Sequence, residues 1–349
     1  ASLTRLLEEQ AKKASSSHGV WSLPDGEAYY RNRLLLSTTL PLGPEEIHAI
    51  GLREVSAIHE EMRQIMKKVG FEGSLQEFFV HMRTDPRYYF ANTPEGRREY
   101  LQSAEKVVEG IRARLDEIFV TKPKIPLEVR AVEPYREKSA GKAFYRGGAP
   151  DGSRPGIFYA NLHNMMNMPK FELDALVYHE AIPGHHMQVA IAQRLDTLPR
   201  TRRFSWYTPY GEGWGLYSEH IPKEMGFYQD PYADFGRLAL RLWRACRLVL
   251  DTGIHHMKWS REASIDYLMQ NTAASEGQSL KAVERYFVMP GQATAYMIGM
   301  LKILELREKA REALGEGFDI RSYHELILTN GPMPLPILEQ EVRLWMAPL

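Results

Sequence analysis

Residues 178–188 read Tyr178-His179-Glu180-Ala181-Ile182-Pro183-Gly184-His185-His186-Met187-Gln188, and this stretch restricts the fold more than any other. Leu173, Leu176 and Val177 recur at helical spacing just before it, so a helix runs into the cluster with an apolar face to anchor it. Pro183-Gly184 then argues against its continuation. Proline removes a helical donor and clashes with the preceding turn, and glycine admits unusual dihedrals. His185 lies six and His186 seven residues after His179. On an unbroken helix they would sit about 9 and about 10.5 Å further along the axis. That is too far for His179 and either of them to reach one ion through bonds of about 2 Å. If the histidines act together, the helix must break at Pro183-Gly184 and fold the second imidazole back.

Neutral imidazoles, a carboxylate base and one open position are what a catalytic zinc requires. The expected metal residues are therefore His179 with His185 or His186, and Glu180 is the general base. His185 is the favoured partner, because treating Ile182-Pro183 as an insertion leaves an ordinary His-Glu-x-Gly-His. A lone histidine on such a helix reads as core or as solvated surface, but three with a glutamate inside eight residues do not. The third ligand is expected at Glu212, in Tyr210-Gly211-Glu212-Gly213-Trp214-Gly215-Leu216-Tyr217-Ser218-Glu219, where flanking glycines permit close helix approach. Glu219, two turns on, reads as a surface or supporting carboxylate.

Around this cluster the chain is punctuated as a helical scaffold. Apolar spacing predicts a helix over 47–69, Ser74–Glu77 has capping-box form, and Thr93-Pro94-Glu95 opens a helix expected to reach about Phe119. Between Lys122 and Asn161, frequent Pro and Gly separate short β-prone runs, Leu127–Val132 and Ile157–Asn161, read as a small antiparallel sheet with a hairpin. Helical patterning returns at Phe171, with the zinc-site helices over 171–225. The expected fold class is mainly α, a metallopeptidase-like single domain over 1–349 with a small sheet at 122–161.

Composition narrows the function classes. Lys plus Arg and Asp plus Glu both total 44, so the charge excess of a nucleic-acid or anionic-membrane binder is missing. Cys246 is the sole cysteine, which rules out a cysteine zinc module and leaves His and carboxylate as ligands. No apolar run approaches the roughly 18 residues of a membrane span, and a signal-peptide layout is not visible. The cytoplasm is thus the expected setting, although the chain begins with Ala1 and its N-terminus decides little.

The cluster resembles peptidases that carry His-Glu-x-x-His on one helix and a glutamate ligand on the next. More closely, residues 178–188, Glu212–Tyr217, Asp251-Thr252-Gly253-Ile254-His255, Glu284-Arg285-Tyr286 and Pro290-Gly291-Gln292 through Tyr296 are similar to the bacterial domain of unknown function 885. The similarity runs from about Gly19 to the C-terminus. Members are commonly longer at the N-terminus, which implies a C-terminal portion of a longer pattern. The resemblance implies one Zn2+ held by His179, His185 or His186, and Glu212, with Glu180 as base.

A peptidase of this type also needs an oxyanion donor and a substrate track. Tyr286, Tyr296 and His255 supply the donor types, although each alone reads as a buried aromatic or a satisfied core histidine. In related peptidases an edge strand upstream of the zinc helix binds substrate backbone, which nominates the strand carrying Tyr159 and Asn161. Gln292 and Arg285 are further substrate-binding candidates. Arg244, Arg247 and Arg285 could include a clamp for a substrate carboxylate, against the commoner role of helical arginines as solvated or paired groups. The expected activity is zinc-dependent hydrolysis of peptides; a zinc amidohydrolase on a non-peptide amide, or a non-catalytic relative keeping a structural metal, are the competing readings.

Overall fold

The computed structural model describes residues 2–14 and 16–347. Its N-terminal third is α1 (Ser2–Lys13), α2 (Gly26–Thr38), α3 (Pro44–Lys68), α4 (Leu75–Thr84) and α5 (Pro94–Arg112). The helix starts follow local chemistry. Pro44 takes the first turn of α3, followed by Glu45 and Glu46, and Lys67 and Lys68 close it, in line with the helix dipole. Ser74 and Glu77 form the expected reciprocal capping box. α5 opens at Pro94 as expected but stops at Arg112, short of Phe119. A single tight turn at 115–117 replaces its last stretch. Leu115 and Phe119 both enter the core there, and the Arg114 guanidinium is tied to the Met225 carbonyl at 3.0 Å. Tertiary contacts override a pattern that could have continued as helix.

Three strands follow, β1 (Leu127–Ala131), β2 (Ala143–Arg146) and β3 (Gly156–Ala160), in spatial order β1-β3-β2. β2 and β3 pair antiparallel, Ala143 opposite Ala160, as the hairpin expectation required. β1 pairs parallel with β3, Leu127 opposite Gly156. The sheet is therefore mixed, not antiparallel. Its middle strand is β3, with all five residues buried. The 132–142 connection returns the chain past β1 before the hairpin starts, which leaves β1 to take the free side of β3 in the parallel sense.

The remaining helices are α6 (Lys170–Glu180), α7 (His185–Ala192), α8 (Arg200–Arg203), α9 (Thr208–Glu224), α10 (Pro231–His255), α11 (Arg261–Asn271), α12 (Glu276–Val288), α13 (Ala295–Leu314), α14 (Ile320–Thr329) and α15 (Leu335–Met346). α10 packs along α3 and α6, and α9 lies along α13 and touches α6 and α7. One contiguous apolar core runs from Val20 to Val342. A small second cluster of Val132, Ile157 and Tyr159 covers the other face of the sheet.

Candidate metal centre

α6 ends at Glu180 and α7 begins at His185, so the helix breaks where Pro183-Gly184 demanded. The Ile182–Pro183 peptide is cis. Gly184 folds against the end of α6 so tightly that a Cβ there would lie 1.9 Å from the His179 carbonyl oxygen. Only glycine fits. Trp214 Nε1 on α9 donates to the Pro183 carbonyl at 2.9 Å, which satisfies a buried acceptor and fastens the break to the helix carrying Glu212.

The fold-back brings His185 to His179, their rings edge to face at 4.7 Å. Glu212 Oε2 stands 3.5 Å from His179 Nε2 and 3.3 Å from His185 Nε2. One donor atom from each of the three residues falls within 4.8 Å of the others. Ligands on a tetrahedral ion with bonds of about 2.05 Å stand about 3.4 Å apart, so the two Glu212 spacings already match. Gly215, one turn from Glu212, makes room: its Cβ would meet His179 Cε1 at 2.8 Å and His185 Cε1 at 3.1 Å. Two imidazole nitrogens and a carboxylate oxygen, aimed at one point from three helices, are a donor set that could hold Zn2+. Glu180, buried at the end of α6, lies within electrostatic reach of His179.

Glu219 supports the cluster from behind. Its Oε1 accepts from His179 Nδ1 at 2.7 Å, fixing the ring so that Nε2 points toward Glu212. Arg244 Nη2 approaches the same carboxylate at 3.6 Å. Glu219 is 1% exposed, so its surface reading fails and its supporting one holds; seven residues from Glu212 on a helix, it shares that residue's face. Burial opposes charge on His179, but hydrogen bonding to Glu212 and Glu219 outweighs it and lifts the imidazole to about 9. Burial would likewise raise Glu212, yet its two imidazole partners hold it well below the usual carboxylate range. The centre is thus a focus for positive charge.

The other expected residues divide. His186 does not join the cluster: its Nδ1 meets the Tyr145 phenol at 3.1 Å, and burial, with Arg112 nearby, depresses it to about 4. His255 has no free ring nitrogen for an oxyanion. Its Nδ1 accepts from Val20 N–H at 3.2 Å, so Nε2 carries the proton and donates to the Tyr286 carbonyl at 2.9 Å. Asp251, one turn earlier, accepts from the Tyr30 hydroxyl at 2.6 Å and from Gly291 N–H at 2.9 Å. The 251–255 motif therefore pins the turn that leads into α13.

The substrate-track residues on β3 also serve the scaffold. β3 has β1 and β2 on its two sides and offers no edge for strand addition. Tyr159 lies in the small cluster on the far face of the sheet, and the Asn161 amide binds the carbonyls of Glu137 and Ala140 at 2.8 and 3.1 Å. Arg285 is exposed beside buried Tyr286 and joins none of these groups.

Tyr286, Tyr296 and Gln292 do gather, with Arg247 of α10. The Arg247 guanidinium lies over the Tyr296 ring, 4.7 Å from its centroid. Burial raises the Tyr296 phenol, and the charge of Glu212 raises it further, while Gln292 bonds to it. Arg244 links the Tyr296 ring, 6.0 Å from its guanidinium, to the Glu219 carboxylate behind His179. The Tyr286 hydroxyl is buried beside Arg247 with no other hydrogen-bond partner. Sequence reasoning had no route to Tyr145 or to the Trp214 bond; the tryptophan's place between the two glycines was the only trace.

Over residues 1–342 the chain matches the family described as bacterial protein of unknown function (DUF885). A crystal structure of a candidate lipoprotein from Colwellia psychrerythraea is similar at 39% identity with a TM-score of 0.95, over 97% of this chain and 58% of that one. A candidate lipoprotein of unknown function from Shewanella oneidensis is similar at 18% identity with a TM-score of 0.79, over 97% and 62%. At that identity the second likeness is one of fold alone. The chain spans less than two thirds of either protein. A search of curated proteins finds no match.

Proposed function

The chain belongs to the DUF885 family of bacterial proteins of unknown function, and we propose that it is a zinc-dependent hydrolase that cleaves peptide bonds. The observation that carries this is the meeting of His179, His185 and Glu212 donor atoms within 4.8 Å across a broken helix, with Glu180 beside them. His179 and His185 would hold the ion through Nε2 and Glu212 through Oε2, leaving a position open to water or substrate. When bound, Zn2+ supplies Lewis acidity that makes water a nucleophile near neutral pH and polarises a carbonyl.

The protein's own groups do the rest. Glu219 keeps His179 Nδ1 protonated and its ring oriented. The Glu180 carboxylate takes a proton from the attacking water and delivers it to the departing nitrogen as the C–N bond breaks. The Tyr296 phenol donates to the oxygen on which negative charge grows, the one donor of the expected three that feels the charge of Glu212.

Stoichiometric zinc in purified protein, lost in His179→Ala, is the first expected result. Glu180→Gln should keep the zinc and lower turnover of a mixed peptide library by about 10²–10⁴-fold. Zinc-free wild-type protein, or full turnover by Glu180→Gln, would overturn the proposal; turnover of non-peptide amides alone would move the substrate class. No helix among the described residues is long and apolar enough to cross a membrane. The 39%-identical relative is named a candidate lipoprotein, which supports an exported, lipid-anchored setting for the whole protein over the cytoplasmic one. Fractionation of cells carrying the full-length protein tests it.

A further inference from the structure

Arg244 and Arg247 stand three residues apart on one face of α10, but their surroundings differ. Arg244 has a carboxylate, Glu219, at 3.6 Å, and the Leu240 carbonyl at 3.1 Å. Among the described residues no carboxylate oxygen comes within 4.0 Å of the Arg247 guanidinium. Its neighbours are the phenols of Tyr286 and Tyr296, and its Nε, like that of Arg244, is buried with no acceptor. The Tyr286 hydroxyl is buried beside that guanidinium with no other partner. Phenols solvate a cation through ring and oxygen but leave its charge unneutralised. A largely buried guanidinium without a counterion is costly unless an anion completes it.

The position of this pair suggests which anion. The Tyr296 ring has Arg247 4.7 Å and Arg244 6.0 Å from its centroid, and Arg244 reaches the Glu219 carboxylate that holds His179. Resting on the hydrolase reading above, we infer that Arg247, held over the Tyr296 ring and joined by the Tyr286 hydroxyl, anchors a substrate carboxylate beside the scissile bond. A planar fork of donors suits a carboxylate better than any neutral group. The preferred substrates are then peptides whose last residue carries the anchored group, and the enzyme acts as a carboxypeptidase. Water adds to the last peptide carbonyl, the C–N bond breaks, and the released amino acid takes the proton on its new amine.

Binding tests this without turnover. Zinc-loaded Glu180→Gln protein is titrated calorimetrically with a short peptide ending in a free carboxylate, the same peptide as its C-terminal amide, and the amide with glutamate in last place. The free acid should bind at least about tenfold tighter than the amide, the worth of one charge-assisted hydrogen bond. Arg247→Gln should bring the acid down to the amide with zinc content unchanged and the melting temperature no lower, and Arg247→Lys should restore part of the preference. Tight binding of the glutamate amide would assign the carboxylate to the side chain of the last residue. Equal binding of acid and amide, or a preference that survives Arg247→Gln, overturns the inference, and the wild-type comparison decides alone if the variant misfolds. Should the protein hold no zinc, the hydrolase reading fails separately. The acid preference is then read on the metal-free chain, because Arg247 is not among the ligands.

Discussion

Gly215→Ala tests the candidate centre through one methyl group. In an ordinary helix interior this change stabilises by about 1 kcal/mol. At this site the new Cβ would lie 2.8 Å from His179 Cε1, 2.9 Å from His179 Nε2 and 3.1 Å from His185 Cε1. Carbon contacts settle at about 3.5 Å or more, so the closest ring must retreat by about 0.7 Å. His179 cannot simply swing, because its Nδ1 is held by Glu219 at 2.7 Å. Metal–ligand distances tolerate about 0.2 Å. The displacement exceeds that severalfold, and zinc affinity should fall on the order of 100-fold or more, at or above the upper end of losing a group that orients a ligand.

Competition against a fluorescent chelator reads this directly, and thermal unfolding reads it independently. At a zinc concentration 1,000 times the wild-type Kd, the metal should add about 4 kcal/mol to wild-type stability and about 1.4 kcal/mol to a variant 100-fold weaker. Gly277→Ala is the control: it lies in α12, exposed, with nothing within 4 Å of the added methyl, and should leave zinc binding untouched. Wild-type zinc affinity in Gly215→Ala would refute the reasoning, since two rings that can both give way are not a preorganised ligand pair.

Two further outcomes can be measured, one at the centre and one elsewhere on α6. Glu219→Leu removes the acceptor that orients His179 and should weaken zinc binding about 10–100-fold, measured by the same competition, with Glu212 and His185 unchanged. Asp174, on α6, is raised from its ordinary 3.8 to about 6 by burial and then by the charge of Asp230. The folded state holds that proton more tightly than the unfolded chain does, so stability falls as pH rises from 3.8 through 6 and is constant above. Asp174→Asn should therefore match wild type near pH 4 and exceed it by about 3 kcal/mol above pH 6, checked by urea unfolding across that range; a constant difference at all pH values would reject the assignment.

What the amino-acid sequence determined by itself is what short stretches of chain can decide. Pro183-Gly184 ended α6 wherever the rest of the protein lay, Ser74 and Glu77 capped α4 within three residues of each other, and the 3.6-residue period put Glu212 and Glu219 on one face of α9. These depend on local dihedrals and donors, which residue types fix directly. The tertiary structure decided which partner each polar atom finds across many residues of chain. His185 rather than His186 met Glu212 because the broken helix turned one imidazole inward and left its neighbour to Tyr145. His255 and Asn161 carry the chemistry of a site, but distant carbonyls and a backbone N–H consumed their bonds. β1 joined β3 in parallel although nothing in its five residues encodes a direction. Arg247 differs from Arg244 only in what folding placed beside it. Residue type sets what a group can bind, and the free energy of burying it unpaired makes the fold select among those options.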